Sequence, residues 1–134
     1  MTYLLDTNIC IYLLNNRYPQ LNQKLASMEL DEVVLSSIVV SELRYGAENS
    51  SRKEENHETL NFFLSAFEVL DYNSKAADAY GRVRSSLKVA GTPIGAVDTF
   101  IAAHAVSENL TLVTNNVNQF EHVPDLKLEN WINL

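Results

Sequence analysis

Cysteine occurs once in this chain of 134 residues, at position 10. That excludes an internal disulfide, and Ile9, Ile11, Leu13 and Leu14 around Cys10 mark a buried thiol rather than a reactive one. No basic leader precedes the first apolar residues, and Asp6 interrupts them early. The start MTYLLDTNICIYLLNN therefore reads as neither a secretory signal nor a membrane span, which points to the cytoplasm and away from membranes. Internal repeats and low-complexity tracts are lacking, so residues 1–134 are expected to form one domain. A phosphate-cradling Gly-rich loop is missing too, which weakens any reading as a small-molecule phosphatase. Positive charge is scarce: 10 Lys and Arg stand against 17 Asp and Glu, a formal net charge of -7. Such a balance argues against sequence-independent clinging to nucleic acid.

What is present suits a globular enzyme. A hydrophobic fraction of 46% and a charged fraction of 20% allow one core of ordinary size. Short apolar runs at Thr2–Asp6, Glu32–Ser37, Phe67–Tyr72 and Leu110–Asn116 suit buried strands, with a last short strand near Lys127 and Leu128. Between them lie helical stretches. Thr7 or Asn8 can cap a helix through ICIYLLNN, and Ser36 or Ser37 can cap one running IVVSELRYGAEN. A further helix is expected over Glu54–Ala66, with the polar AENSSRKEENHE forming a junction between helices. Ala76, Tyr80, Val83, Leu87 and Ala90 repeat every three or four residues and predict an amphipathic helix ending at Gly91. The next helix, around Asp98 and running to about Glu108, is almost wholly apolar and therefore central. Strands alternating with helices predict an α/β fold with a mainly parallel sheet flanked by helices on both faces.

In such a sheet the active site forms beyond the carboxyl ends of the strands. Asp6 ends the first strand there, Glu42 lies in the second turn of the helix after the second strand, Asp98 opens the central helix, and Thr114, Asn115 and Asn116 end the LVTNN strand. Asp6, Glu42 and Asp98 each sit among apolar neighbours, unlike the solvated acids of RKEENHE. Carboxylates gathered without compensation repel one another and take up protons. A divalent cation resolves this, and hard oxygen donors without a His or Cys cluster suit Mg²⁺ or Mn²⁺. Such an ion favours phosphodiester hydrolysis. Each acid also has a plainer reading: Asp6 as a helix cap, Glu42 as an ion-pair partner, Asp98 as a first-turn acid favoured by the helix dipole.

Four segments in order, LLDTNICIYLL, SSIVVSELRYGAENS, GTPIGAVDTFIAAHA and LVTNNVNQFEHVPDLKLENW, closely resemble the PIN-domain family, specifically the VapC ribonuclease toxins of bacterial VapBC toxin-antitoxin pairs. The resemblance spans nearly the whole chain. It implies a PIN-like three-layer sandwich and an endoribonuclease dependent on Mg²⁺ or Mn²⁺, with the family's acidic triad carried onto Asp6, Glu42 and Asp98. It places Asn116 where many relatives carry a fourth acid, and Gln119 where many carry another, so a second metal site is weakened. Thr7, Asn8 and Thr114 would orient the carboxylates and water. Structured RNA, often tRNA, would be the substrate, and a VapB-type antitoxin and a second copy of the toxin would be the protein partners. The competing reading is a PIN scaffold that binds RNA or protein with weak catalysis.

Among the ten basic residues, Arg84 and Lys88 share a helix face ahead of the loop leading to Asp98, and Arg44 lies two residues beyond Glu42. These three are the candidates for RNA phosphate contacts. His104 points away from Asp98 along its helix and reads as a core histidine with its hydrogen bonds made, while His57 and His122 read as surface or loop residues. Ile9, Tyr12, Leu13, Phe62 and Phe63 either fill the core or help form a groove for the antitoxin.

Overall fold

Short runs of β-branched and aliphatic residues set the sheet. The computed structural model describes residues 1–132. It contains β1 (Tyr3–Leu5), β2 (Val33–Ser36), β3 (Glu68–Leu70), β4 (Thr111–Val113) and β5 (Lys127–Glu129), paired in the order β3-β2-β1-β4-β5. All four pairings are parallel. The middle strands β1, β2 and β4 are buried on both faces, which is why LL, VVLS and TLV read as continuous apolar runs rather than as alternating ones. Leu4, Leu5, Leu35 and Leu112 are sealed from solvent at its centre. The outer strands β3 and β5 keep Glu68 and Lys127 at the surface.

The helices are α1 (Thr7–Leu14), α2 (Pro19–Ala26), α3 (Ser37–Glu48), α4 (Lys53–Leu64), α5 (Ser74–Ala90), α6 (Ala96–Ser107) and the single turn α7 (Val117–Phe120). None is long and apolar enough to cross a membrane among the described residues. The predicted α/β architecture, a parallel sheet flanked by helices, is the one observed. Gly91 ends α5 as expected, with φ at 75° in the left-handed region where a side chain is strained. Helix α6 owes its central place to composition: Ala102, Ala103 and Ala105 let it pack closely, and Ile101 is wholly buried.

Local differences from the expectations have clear causes. The cap of α1 is Asp6, not Thr7 or Asn8, because helix α1 starts immediately after β1 and Thr7 is already its first residue. Ser36, rather than Ser37, caps α3 by accepting the Ile38 N–H at 3.1 Å. Most of AENSSRKEENHE is helical, with only positions 49–52 bridging α3 and α4. Helix α2 has no counterpart among the expected elements: Pro19, read as a helix stop, stands at its first residue, where a missing N–H costs nothing. Ile9 and Leu13 belong to the core, Tyr12 and Phe63 pack partly against it, and Phe62 is 83% exposed.

Candidate active site

Strand β1 is where the chain changes direction across the sheet: β2 and β3 build outward on one side, β4 and β5 on the other. A crevice opens at such a point beyond the strand ends. The register aligns Leu5 with Val113, so the next residues, Asp6 and Thr114, leave the sheet side by side. The Asp6 N–H still bonds the Val113 carbonyl at 3.0 Å. This places a carboxylate on a rigid anchor. Thr114 Oγ1 donates to Asp6 Oδ2 at 2.8 Å, and the Thr7 N–H donates to Oδ1 at 2.7 Å. Thr114 is itself held, accepting the Asn116 N–H at 3.0 Å. Asp6 is therefore both cap and crevice residue, and the two readings coincide.

Asp98 enters from the first turn of α6. Its Oδ2 accepts from the Gln119 side-chain amide, whose oxygen in turn accepts from the Asn116 side-chain amide. Asn116 thus sends one donor toward Asp6 through Thr114 and another toward Asp98 through Gln119. Both branches run toward a carboxylate, one ending in the Thr114 hydroxyl on Asp6 and the other in the Gln119 amide on Asp98, and such donors favour the ionised acids. The sequence marks Gln119 only as a missing acid; its bridging role needs the single turn α7, too short to announce itself.

The electrostatics are unfavourable without a cation. Burial pushes the pKa of Asp6 up, opposed by the Thr114 and Thr7 hydrogen bonds and reinforced by the charge of Asp98. Burial likewise raises Asp98, with Gln119 opposing and the charge of Glu42 adding to the rise. Asp6 is only 5% exposed, and among the described residues none of the ion pairs involves Asp6, Glu42 or Asp98. Charge couples Asp98 to both Asp6 and Glu42, while no group of three or more His, Cys, Asp or Glu able to hold a metal forms among the described residues. The arrangement is a linked pair, Asp6 and Asp98, with Glu42 beside Asp98 on the wall of a neighbouring groove. That groove, of about 330 Å³, lies between α1, α3 and α4 and is lined by Ile11, Leu14, Leu43 and Leu60 as well as Glu42. Two uncompensated, hard carboxylates fit Mg²⁺ or Mn²⁺, which is commonly held by one or two carboxylates with waters and substrate phosphates.

The remaining candidates divide. Thr7 leaves its buried hydroxyl without a partner among the described residues, while Asn8 is exposed. Arg84 and Lys88 line a pocket beside the start of α6. Arg44 is occupied elsewhere: its guanidinium bonds Asn61 Oδ1 at 2.5 Å and lies 3.1 Å from His57 Nδ1, tying α3 to α4. His57 is consequently a helix residue in a charge network rather than a loop residue. His104 is fully buried as expected, with Nδ1 2.7 Å from Ser36 Oγ, yet its Nε2 has no partner among the described residues. Burial lowers its pKa and keeps it neutral.

The PIN domain family model matches residues 3–126, and the chain belongs to the PIN-domain family. Relatives narrow the class. The chain is 43% identical over 132 residues to Ribonuclease VapC2 of Rickettsia felis, covering 98% of each. It is 39% identical over 131 residues to the tRNA(fMet)-specific endonuclease VapC of Salmonella typhimurium, again covering 98% of each. Among solved structures, VapBC2 of Rickettsia felis bound to a promoter DNA fragment gives a TM-score of 0.92 at 42% identity, covering 98% of this chain and 99% of that one. DNA-bound VapBC of Salmonella typhimurium gives 0.93 at 39% identity, covering 98% of both. Within the family the chain is of the VapC type.

Proposed function

We propose that the protein is the ribonuclease toxin of a toxin-antitoxin pair, a metal-dependent endonuclease that hydrolyses phosphodiester bonds in structured RNA, with tRNA as the substrate class. The observation that carries this is the Asp6 and Asp98 pair, uncompensated and wired to one hydrogen-bonded support, in a chain whose relatives are named ribonucleases and tRNA endonucleases. Asp6 and Asp98 would hold Mg²⁺ or Mn²⁺, and Glu42 would reach the same ion or its waters from α3. When bound, the ion acidifies a coordinated water and offsets charge on the phosphate. Thr114 and the Thr7 backbone keep both Asp6 oxygens oriented, and Gln119 holds one oxygen of Asp98, leaving the other for the cation. Asn116 supplies the amide that positions Gln119, in place of a fourth charge. Asn8 stands exposed at the rim, able to meet substrate. Arg84 and Lys88 would contact RNA phosphates; Arg44, held by Asn61, would shape the wall next to Glu42.

A VapB-type antitoxin is the expected partner, since several solved relatives are VapBC complexes. The groove between α1, α3 and α4 is mainly apolar, with Asn15, Asn56 and Thr59 on its walls and an acid at Glu42, which suits an amphipathic segment carrying a basic side chain. Residues 1–134 would act as one domain in the cytoplasm and pair with a second copy. The amides at Asn116 and Gln119 favour a second reading, a binding scaffold with little turnover. One experiment separates the two: antitoxin-free protein incubated with bulk tRNA and Mg²⁺ or Mn²⁺. Cleavage that stops with EDTA and in Asp98→Ala supports the nuclease; binding without cleavage under either metal supports the scaffold. Cleavage indifferent to both treatments would refute the metal-dependent mechanism.

A further inference from the structure

Strand β2 ends and helix α3 begins at consecutive serines, and their hydroxyls reach different elements. Ser37 Oγ accepts the Tyr72 N–H at 3.0 Å. Ser36 Oγ accepts the Ile38 N–H at 3.1 Å, capping α3, and lies 2.7 Å from Nδ1 of His104 on α6. Among the described residues this is the side-chain hydrogen bond that joins α6 to the start of α3. Both partners are sealed from solvent. The Tyr72 ring stands edge-on to His104 and to Phe100, at centroid distances of 5.6 and 5.5 Å, and holds the imidazole against its own helix.

Which atom donates follows from the partners on hand. Burial keeps the imidazole neutral, with one N–H and one bare nitrogen. The Ser36 hydroxyl already accepts from Ile38, and His104 Nδ1 is the acceptor within its reach among the described residues. Ser36 therefore donates to Nδ1, and the imidazole hydrogen sits on Nε2, which has no partner among the described residues. A buried N–H without an acceptor costs stability, and an apolar pair of similar size would avoid that cost. Stability alone does not account for the pair.

What the pair supplies is direction. Helix α6 buries Ala102, Ala103 and Ala105, and side chains that small leave a helix freer to slide or turn than large interlocking ones do. A hydrogen bond fixes one point on it. His104 stands six residues after Asp98 and Ser36 six before Glu42, so the joint is equally far along the chain from two acids whose charges act on one another. We propose that His104 is a positioning residue for the reaction: through Ser36 it pins α6 to the start of α3 and so sets where Asp98 stands relative to Glu42. The proposal rests on the reading of these acids as a metal site. Sealed from solvent, His104 acts only through the two helices.

The test separates geometry from folding. Antitoxin-free protein is titrated with Mn²⁺ by calorimetry in the absence of RNA, and melted in EDTA. His104→Leu should bind Mn²⁺ about tenfold more weakly, as when a hydrogen-bond partner behind a metal ligand is lost, yet melt no more than about 4 °C below wild type. His104→Asn places an amide oxygen where Nδ1 stands, keeps an acceptor for Ser36, and should restore affinity to within about twofold. Ser36→Ala should weaken binding as much as His104→Leu, and the two together no more than either alone, because both break one link. Ser37→Ala removes the neighbouring hydroxyl and should match wild type. Wild-type affinity in His104→Leu and Ser36→Ala would overturn the proposal, as would equal losses in the Asn and Leu variants, or additive losses in the double variant. A loss in His104→Leu that merely tracks a large fall in melting point makes the pair a folding device and overturns it too. Should His104→Leu not fold, Ser36→Ala decides against Ser37→Ala: a loss confined to Ser36→Ala supports the joint, and unchanged affinity overturns it. Residual dipolar couplings in EDTA, which need neither metal nor RNA, should report a turned α6 in His104→Leu and the wild-type orientation in His104→Asn. Unchanged couplings in His104→Leu overturn the joint; a wild type that binds no Mn²⁺ while the couplings still differ fails the metal reading instead.

Discussion

Two regions of this molecule use the same side chains to opposite ends. On the outer surface of α3 and α4, Glu48 pairs with Lys53 at 2.6 Å and with His57 at 2.9 Å, and His57 leads on to Arg44 and Asn61. Charge there is exposed and matched. In the crevice, buried Asp6 and half-buried Asp98 repel one another and have neutral donors, Thr114, the Thr7 N–H and Gln119, for support. Matched charges on a surface contribute little to stability. Unmatched charges in a cleft cost stability and persist where they serve chemistry. The contrast is what makes Asp6 and Asp98 the candidate working region, and it can be pressed experimentally.

The largest effect should follow neutralising the crevice. Asp98→Asn should lower the initial rate of tRNA cleavage by about 10²–10³-fold, and a decrease under about fivefold in a rate assay would remove Asp98 from the chemistry. Next comes the neutral support. Gln119→Ala and Thr114→Val should each weaken Mn²⁺ binding about tenfold, as read by titration calorimetry without RNA; unchanged affinity in both would reduce the hydrogen-bond relay to a folding device. A smaller effect has the opposite sign. Burial holds the Asp98 pKa above its unfolded value, so the protonated form is favoured in the fold and the cost of ionisation appears as pH rises through the folded pKa. In EDTA at pH 7, Asp98→Asn should therefore melt about 2 °C higher than wild type, the gap closing below the unfolded value near pH 3.9. Saturating Mg²⁺ should reverse the order. The least effect belongs to the surface network: Glu48→Gln should leave cleavage unchanged and shift the melting point by less than about 1 °C. A large drop in activity there would erase the distinction between the regions.

Much of this architecture is legible in the amino-acid order because burial and local chemistry agree. Helix α5 shows its period and its Gly91 stop, α6 shows its apolar face all round, and the two-sided burial of β1, β2 and β4 writes itself as unbroken aliphatic runs. Asp6, Glu42 and Asp98 stand out for a related reason, as acids in apolar company. What stays hidden depends on distant neighbours. Nothing near Arg44 announces that Asn61 will take its guanidinium, and nothing near Gln119 announces that its amide will reach Asp98. The half-paired His104 depends on Ser36, 68 positions away. Helix α2 goes unannounced because Tyr18-Pro19 reads locally as the stop of one helix, whereas Pro19 opens the next.

The bond between Thr114 and Asp6 joins positions 108 residues apart. A ribosome making this chain has therefore laid down most of it before the first acid meets its support, and Gln119 arrives later still. A nascent chain that has not reached these positions leaves Asp6 without its distant support. A premature stop ahead of position 114 would leave Asp6 without the Thr114 hydroxyl, however faithfully its first hundred residues were copied.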